Sequence, residues 1–167
     1  RGFNSRGIGL EKAGVQVGTR GEIVVNDRME TNVPGVYAIG DVVGKAMLAH
    51  VASAQGKVAV ENFMGRPRTI DYDVIPTGIF TLPEIGRVGL TEQQARDRCV
   101  AAGKDPQQSV KVGRFRYGGL GKAQATGDIQ GLLKVVADAE SDRILGVHIL
   151  GAHAADRATA PLRARAR

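Results

Sequence analysis

The apolar run Val36-Tyr37-Ala38-Ile39 ends abruptly in Gly40-Asp41, and a helical pattern begins six residues later at Met47. No other stretch restricts the fold as tightly. Four consecutive apolar residues bounded by turn residues read as a strand buried on both faces, the kind found in parallel sheets. From Leu48 to Met64, apolar or small residues recur at 48, 51, 52, 54, 58, 59 and 63, as one face of a long helix requires. Gly65-Arg66-Pro67 stops that helix. A buried strand followed by a helix is half of a βαβ unit and predicts an open α/β sheet. Ligands of such sheets sit at the carboxyl ends of the strands.

Gly40-Asp41 falls at that end. Gly40 lets the backbone turn sharply and leaves room for a close neighbour. Asp41 can present two acceptors to a ligand with hydroxyl donors, such as a sugar or ribityl chain. It can equally cap a turn or a helix, a common aspartate role worth about 1 kcal/mol. From these two residues alone both readings stand. The following helix start, Met47-Leu48-Ala49-His50, offers unpaired backbone N–H groups and the positive end of a helix dipole. Small residues at 49, 52 and 54 would let a flat ring approach, although alanines at helical spacing also suit plain packing against a sheet.

The remainder divides around this unit. Residues 1–21 are rich in glycine and charge, with a short helical hint at residues 10–13, and resemble a connection from an earlier domain. Residues 22–25 read as a strand and residues 26–35 as a loop. A second unit starts near Asp71, with strands expected over 75–80 and 85–88. Thr91-Glu92-Gln93-Gln94 has the form of a capping box ahead of a helix reaching about Ala102, which Gly103 closes. Val110, Val112 and Phe115 suggest a strand with a possible bulge at Gly113. Residues 132–137 and 144–150 form an antiparallel hairpin, so this half is α+β.

Composition narrows the function classes. The net charge of +6 is concentrated in the last eleven residues, which hold Arg157, Arg163, Arg165, Arg167 and no acid; without them 19 basic residues face 17 acidic ones. With 4% aromatic residues and no tryptophan, the chain lacks the basic face and stacking aromatics of a nucleic-acid binder. No window approaches the roughly 18 apolar residues of a membrane span. A lone cysteine, Cys99, supports neither an internal disulfide nor a cysteine zinc site and suits a reducing compartment. It is expected as a small, half-buried apolar residue on a helix. His148 reads as structural within a strand, His153 has no acid at ligand spacing, and no metal site is expected.

Several strings match together and in order: TNVPGVYAIGDV, MLAHVASAQG, IDYDVIPTGIFTLPEIGRVGLTE and DRILGVHILGAHAAD. Over residues 1–156 the chain resembles the dihydrolipoyl dehydrogenase branch of the FAD- and NAD-dependent disulfide oxidoreductases. Glutathione- and mercuric-reductase-like branches are the alternatives within that superfamily. The resemblance implies the end of an NAD-binding domain at 1–21 and the C-terminal part of a doubly wound α/β FAD-binding domain at 22–70. An α+β interface domain with an antiparallel sheet follows at 71–156. It further implies FAD and NAD as cofactors, with Gly40, Asp41, Met47, Leu48, Ala49 and His50 against the flavin. The implied partners are a second subunit in a homodimer and a lipoyl-bearing protein of a 2-oxo acid dehydrogenase complex, in the cytoplasm.

The family's cysteine pair, its Gly-rich fingerprints and its acid–base histidine are absent from these residues, so no catalytic residue is expected here. The isolated chain is expected to be inactive, a dimerising truncation product being the non-enzymatic alternative. Leu82 stands where the family usually has a histidine, and Gly2-Phe3 where an Arg-Pro pair is common. Without an initiator methionine the chain reads as the middle of something longer. The Arg/Ala-rich residues 157–167 read as an aberrant tail, of the kind a reading-frame slip produces.

Overall fold

A computed structural model of the chain describes residues 2–158. The tail expected to be aberrant therefore lies outside the described residues from position 159 onward. The chain divides into two compact units, residues 1–71 and 72–167.

In the first unit the helix is where its apolar stripe requires it. α1 spans Ala49–Phe63 and buries Val51, Gln55, Val58 and Ala59. Gly65 (φ +73°) ends it, and the Asn62 side chain donates to the carbonyls of Val58 and Arg68, holding the outgoing chain against the last turn. Ahead of α1, the segment 26–31 is a structured corner rather than a plain loop. The Asn26 side-chain oxygen Oδ1 accepts the backbone N–H groups of Arg28 and Glu30. This side-chain turn supports a left-handed Met29 (φ +66°), which is fully buried against Val58 and Ala59. A second cluster gathers Val15, Ile23, Ala38 and Val43.

The two strands expected in this unit do not form ladders. Val17–Ile23 and Glu30–Tyr37 are isolated antiparallel bridges. Val36 and Ile39, expected to be buried on both sides, are 38% and 42% exposed. The cause is local: residues 36–39 are extended but bonded along one edge only, through Thr31 N–H to Val36 O and Ala38 N–H to Met29 O. Among the described residues no strand pairs with the other edge. The helical hint at 10–13 is a run of turns.

The second unit is built on a five-stranded sheet in the order β1-β2-β5-β4-β3, every pair antiparallel. Its strands are β1 (Thr77–Ile79), β2 (Ile85–Gly89), β3 (Val110–Arg116), β4 (Gly131–Asp138) and β5 (Ile144–Gly151). β4 and β5 are the expected hairpin. The irregularity in register falls at Val136/Ala137 on β4. Gly113 pairs in regular register with Val135 and is not a bulge; it is exposed, with open space where a side chain would stand.

Helices cover both faces. α2 (Glu92–Ala101) packs Ala95 and Cys99 against Val110, Val112 and Val136, so Cys99 is half-buried as expected. On the other face, α4 (Gly121–Thr126) and α5 (Ala154–Arg157) bring Ala123 and Ala154 to Val88, Val147 and Ile149. The short α3 (Pro106–Ser109) leads into β3. The capping box is present in full: Thr91 Oγ1 accepts from Gln94 N–H at 3.2 Å, and Gln94 Oε1 accepts from Thr91 N–H at 2.9 Å.

Glu92, the first residue of α2, ties the helix to the sheet. Its carboxylate meets Lys134 Nζ at 2.7 Å, Arg114 Nη2 at 2.8 Å and Arg96 Nη2 at 3.1 Å. The hydrogen bonds from Lys134 and then Arg96 hold its pKa below the ordinary 4.5. A lowered folded-state pKa means that this stabilisation is complete above the ordinary value and disappears as pH falls through the lowered one. Glu92→Gln should therefore lower the urea midpoint at pH 7 and erase the difference from the parent at the acid end. A pH-independent difference between the two midpoints would exclude this origin.

Candidate functional site

The site expected from sequence is assembled within the first unit. Residues 36–39 run extended to Ile39 (φ −140°, ψ 165°), and the backbone reverses at Gly40 (φ +76°), a conformation that L side chains rarely adopt. A single 3-10 turn, Gly40–Val43, follows; Gly44 N–H closes it on the Asp41 carbonyl at 3.0 Å. Val43 is buried, and Val42 O accepts from Ile23 N–H, so the turn is pinned behind Asp41.

Asp41 itself points outward. The residue is exposed, and its carboxylate has no hydrogen bond or ion pair among the described residues. The turn has Ile39 at its cap and no side-chain cap bond. The capping role therefore does not describe Asp41, and an acceptor pair is left facing solvent.

α1 lies directly against this corner. A Cβ placed on Gly40 would be 3.6 Å from Ala52 Cβ, and one placed on Gly56 would be 3.4 Å from Ile39 Cδ1. Gly40 N–H donates to Gln55 Oε1 at 2.6 Å. The small residues at 52 and 56 thus permit helix and strand end to touch. The first turn of α1 starts from Leu48 with no side-chain cap and carries no acidic residue. Met47 and Leu48 are half-buried, while Ala49 and His50 are exposed. Gly40 and Asp41 form the corner that packs on α1 at Ala52 and Gln55, and residues 47–50 lead into and begin that helix. Their donors and acceptors suit a ligand with hydroxyl donors beside an electron-rich group, the kind of ligand the resemblance implies.

Sequence reading missed Gln55. It occupies the apolar stripe of α1 and is fully buried; a polar residue inside an otherwise apolar stripe was the available signal. The other histidines lie in the second unit. His148, on β5 between Arg87 of β2 and Lys134 of β4, has Nε2 2.9 Å from Leu90 O, a structural contact as expected. His153 is left-handed (φ +58°) and precedes α5. Among the described residues no group of three or more His, Cys, Asp or Glu side chains could hold a metal ion. No described helix is long and apolar enough to cross a membrane.

The family description "Pyridine nucleotide-disulphide oxidoreductase, dimerisation domain" matches residues 75–162, more than half of the chain. The chain belongs to the pyridine nucleotide-disulphide oxidoreductase family. A second description of that family, "Pyridine nucleotide-disulphide oxidoreductase", matches residues 1–56, which include the Gly40–Asp41 corner.

Its relatives within the family include a dihydrolipoyl dehydrogenase of Thermus scotoductus, 49% identical over 91% of this chain and 31% of the relative. A mitochondrial dihydrolipoyl dehydrogenase of Arabidopsis thaliana is 43% identical over 90% of this chain and 28% of the relative. The chain thus spans about a third of the length of the relatives it matches. Two solved structures share the fold at 24% identity. LpdA of Mycobacterium tuberculosis has a TM-score of 0.85 over 99% of this chain and 35% of its own. The HOCl-induced flavoprotein disulfide reductase RclA of Escherichia coli has a TM-score of 0.84 over 99% and 37%. The expected fold class stands: the end of an α/β domain followed by an α+β dimerisation domain with an antiparallel sheet.

Proposed function

We propose that this chain is part of a flavoprotein that oxidises dihydrolipoamide with NAD+ as acceptor. Residues 1–21 would end its NAD-binding domain, 22–70 complete its FAD-binding domain, and 71–156 form its interface domain. The observation that carries the reading is the Gly40–Asp41 corner, which packs on α1 at Ala52 and Gln55 and leaves its carboxylate without a hydrogen bond or ion pair among the described residues. FAD, when bound, supplies the electron relay between a dithiol and the nicotinamide. The residues of this chain bind and orient it. Asp41 would accept hydrogen bonds from its ribityl hydroxyls, and the backbone of residues 47–50 would face its ring. An uncapped helix start favours negative charge there.

The catalytic groups lie outside this chain, so the 167 residues alone should show no lipoamide-dependent NADH turnover. The partner of the second unit is another copy of the same chain. Phe80 and Leu82, in the corner between β1 and β2, are 83% and 102% exposed, with Ile79 and Ile129 also uncovered. Such apolar exposure suits an association surface. A lipoyl-bearing protein of a 2-oxo acid dehydrogenase complex is the redox partner, and the setting is the cytoplasm.

The test is a titration of the isotope-labelled chain with FAD, followed by backbone NMR. Shifts should concentrate at Gly40, Asp41 and residues 47–50; their absence, or shifts confined to other residues, would overturn the assignment. Sedimentation should show a dimer that persists after residues 157–167 are removed.

A further inference from the structure

We infer that Gln55 is a positioning residue for the flavin edge: its buried amide fixes the Gly40 backbone and thereby the direction in which Asp41 leaves the chain. This rests on the flavin assignment above and extends it to a residue in the interior of the unit.

Gln55 is 0% exposed and lies in a stripe whose other members, Val51, Val58 and Ala59, are apolar. An apolar side chain would fill that place without desolvating an amide, and burying an amide is unfavourable unless it is hydrogen-bonded. Its Oε1 accepts the Gly40 N–H at 2.6 Å, across 15 residues of sequence. Gly40 is where extended backbone becomes the 3-10 turn, at φ +76°. The bond therefore acts at the one residue whose torsions aim Asp41. Ala52 and Gly56, on either side of Gln55 along α1, pack on Gly40 and Ile39. Strand end and the second turn of α1 are thus a single mount, and the neutral amide is its polar link.

A glutamate at 55 would be buried where the amide now lies, and burial disfavours an ionised carboxylate, so it would hold its proton more readily than an exposed one.

Two variants of the 167-residue chain test the inference. Gln55→Met keeps the length and volume but removes the whole amide, its acceptor on Gly40 included; Gln55→Glu keeps an acceptor that is neutral only when protonated. Three quantities are measured: the Gly40 amide exchange rate, the melting temperature and the FAD dissociation constant. For Gln55→Met, Gly40 exchange should accelerate and FAD should bind about tenfold more weakly, as expected when the buried hydrogen bond to Gly40 no longer holds that backbone. A loss of packing alone would lower the melting temperature and leave FAD affinity unchanged. Gln55→Glu should approach the parent affinity at pH 5 and fall away from it by pH 8.

Parent-like FAD affinity in Gln55→Met, with Asp41→Asn weakened, would overturn the positioning role and leave the flavin assignment standing. No FAD binding by the parent chain, or none sensitive to Asp41, would remove the assignment and this inference with it. If Gln55→Met does not fold, the pH trend of Gln55→Glu decides, and a flat trend overturns the proposal.

Discussion

Gly146→Ala should destabilise the second unit by about 3 kcal/mol, the upper part of the usual range for overpacking a core. Gly146 stands on β5 opposite Gly89 of β2 and opposite Val136 of β4. A Cβ at this position would lie 2.0 Å from the Leu90 carbonyl oxygen and 2.9 Å from both Leu90 C and Leu90 N. These are main-chain atoms and cannot rotate aside as a flexible side chain would.

Leu90 is also committed elsewhere. Its N–H donates to Leu145 O at 2.9 Å, its carbonyl meets His148 Nε2, and the next residue is the Thr91 cap of α2. Moving Leu90 would therefore disturb β2, β5 and the start of α2 together. For a unit of this size the expected fall in melting temperature is roughly 15 °C. The control is Gly113→Ala, where nothing lies within 4 Å of the added atom. It should be close to neutral. Equal effects of the two substitutions would show that loss of glycine, not the approach of Leu90, sets the cost.

Whether a feature was legible in the sequence followed the range of the interactions that make it. The Thr91–Gln94 capping box is written within four residues, and both of its hydrogen bonds form. α1 declares itself by its stripe. β4 and β5 are adjacent in sequence and pair through a short connection. The placement of β5 between β2 and β4 depends on pairing across more than fifty residues, which no local pattern encodes. Met29 was hidden for a different reason. Its burial depends on the Asn26 side chain supporting a left-handed backbone within a stretch whose composition reads as loop.

At the candidate site the residue types were legible and their surroundings were not. The sequence showed that a carboxylate follows Gly40, but not whether that carboxylate capped anything. Its freedom is a property of the folded turn, in which Ile39 holds the cap position. The strand before it was legible as apolar. Its half-exposed state was not, because periodicity reports what a segment can bury and not how many neighbours reach it.

Asp41 gives the prediction that separates function from stability most sharply. Its carboxylate makes no hydrogen bond or ion pair within the described residues, so Asp41→Ala should leave the melting temperature nearly unchanged, within about 0.5 kcal/mol of stability. FAD affinity should respond strongly. A hydrogen bond to a charged acceptor contributes about 1.5–3 kcal/mol, which corresponds to roughly ten- to hundredfold in dissociation constant. Asp41→Asn keeps one acceptor oxygen and loses the charge, so it should fall between the parent and Asp41→Ala. A capping aspartate predicts the reverse: about 1 kcal/mol of lost stability on truncation and no change in flavin binding. Thermal melts paired with FAD titrations of the three proteins distinguish these outcomes directly. A stability loss without an affinity loss would return Asp41 to the role of a local cap, whereas an affinity loss at constant stability makes it the acceptor that the exposed carboxylate suggests.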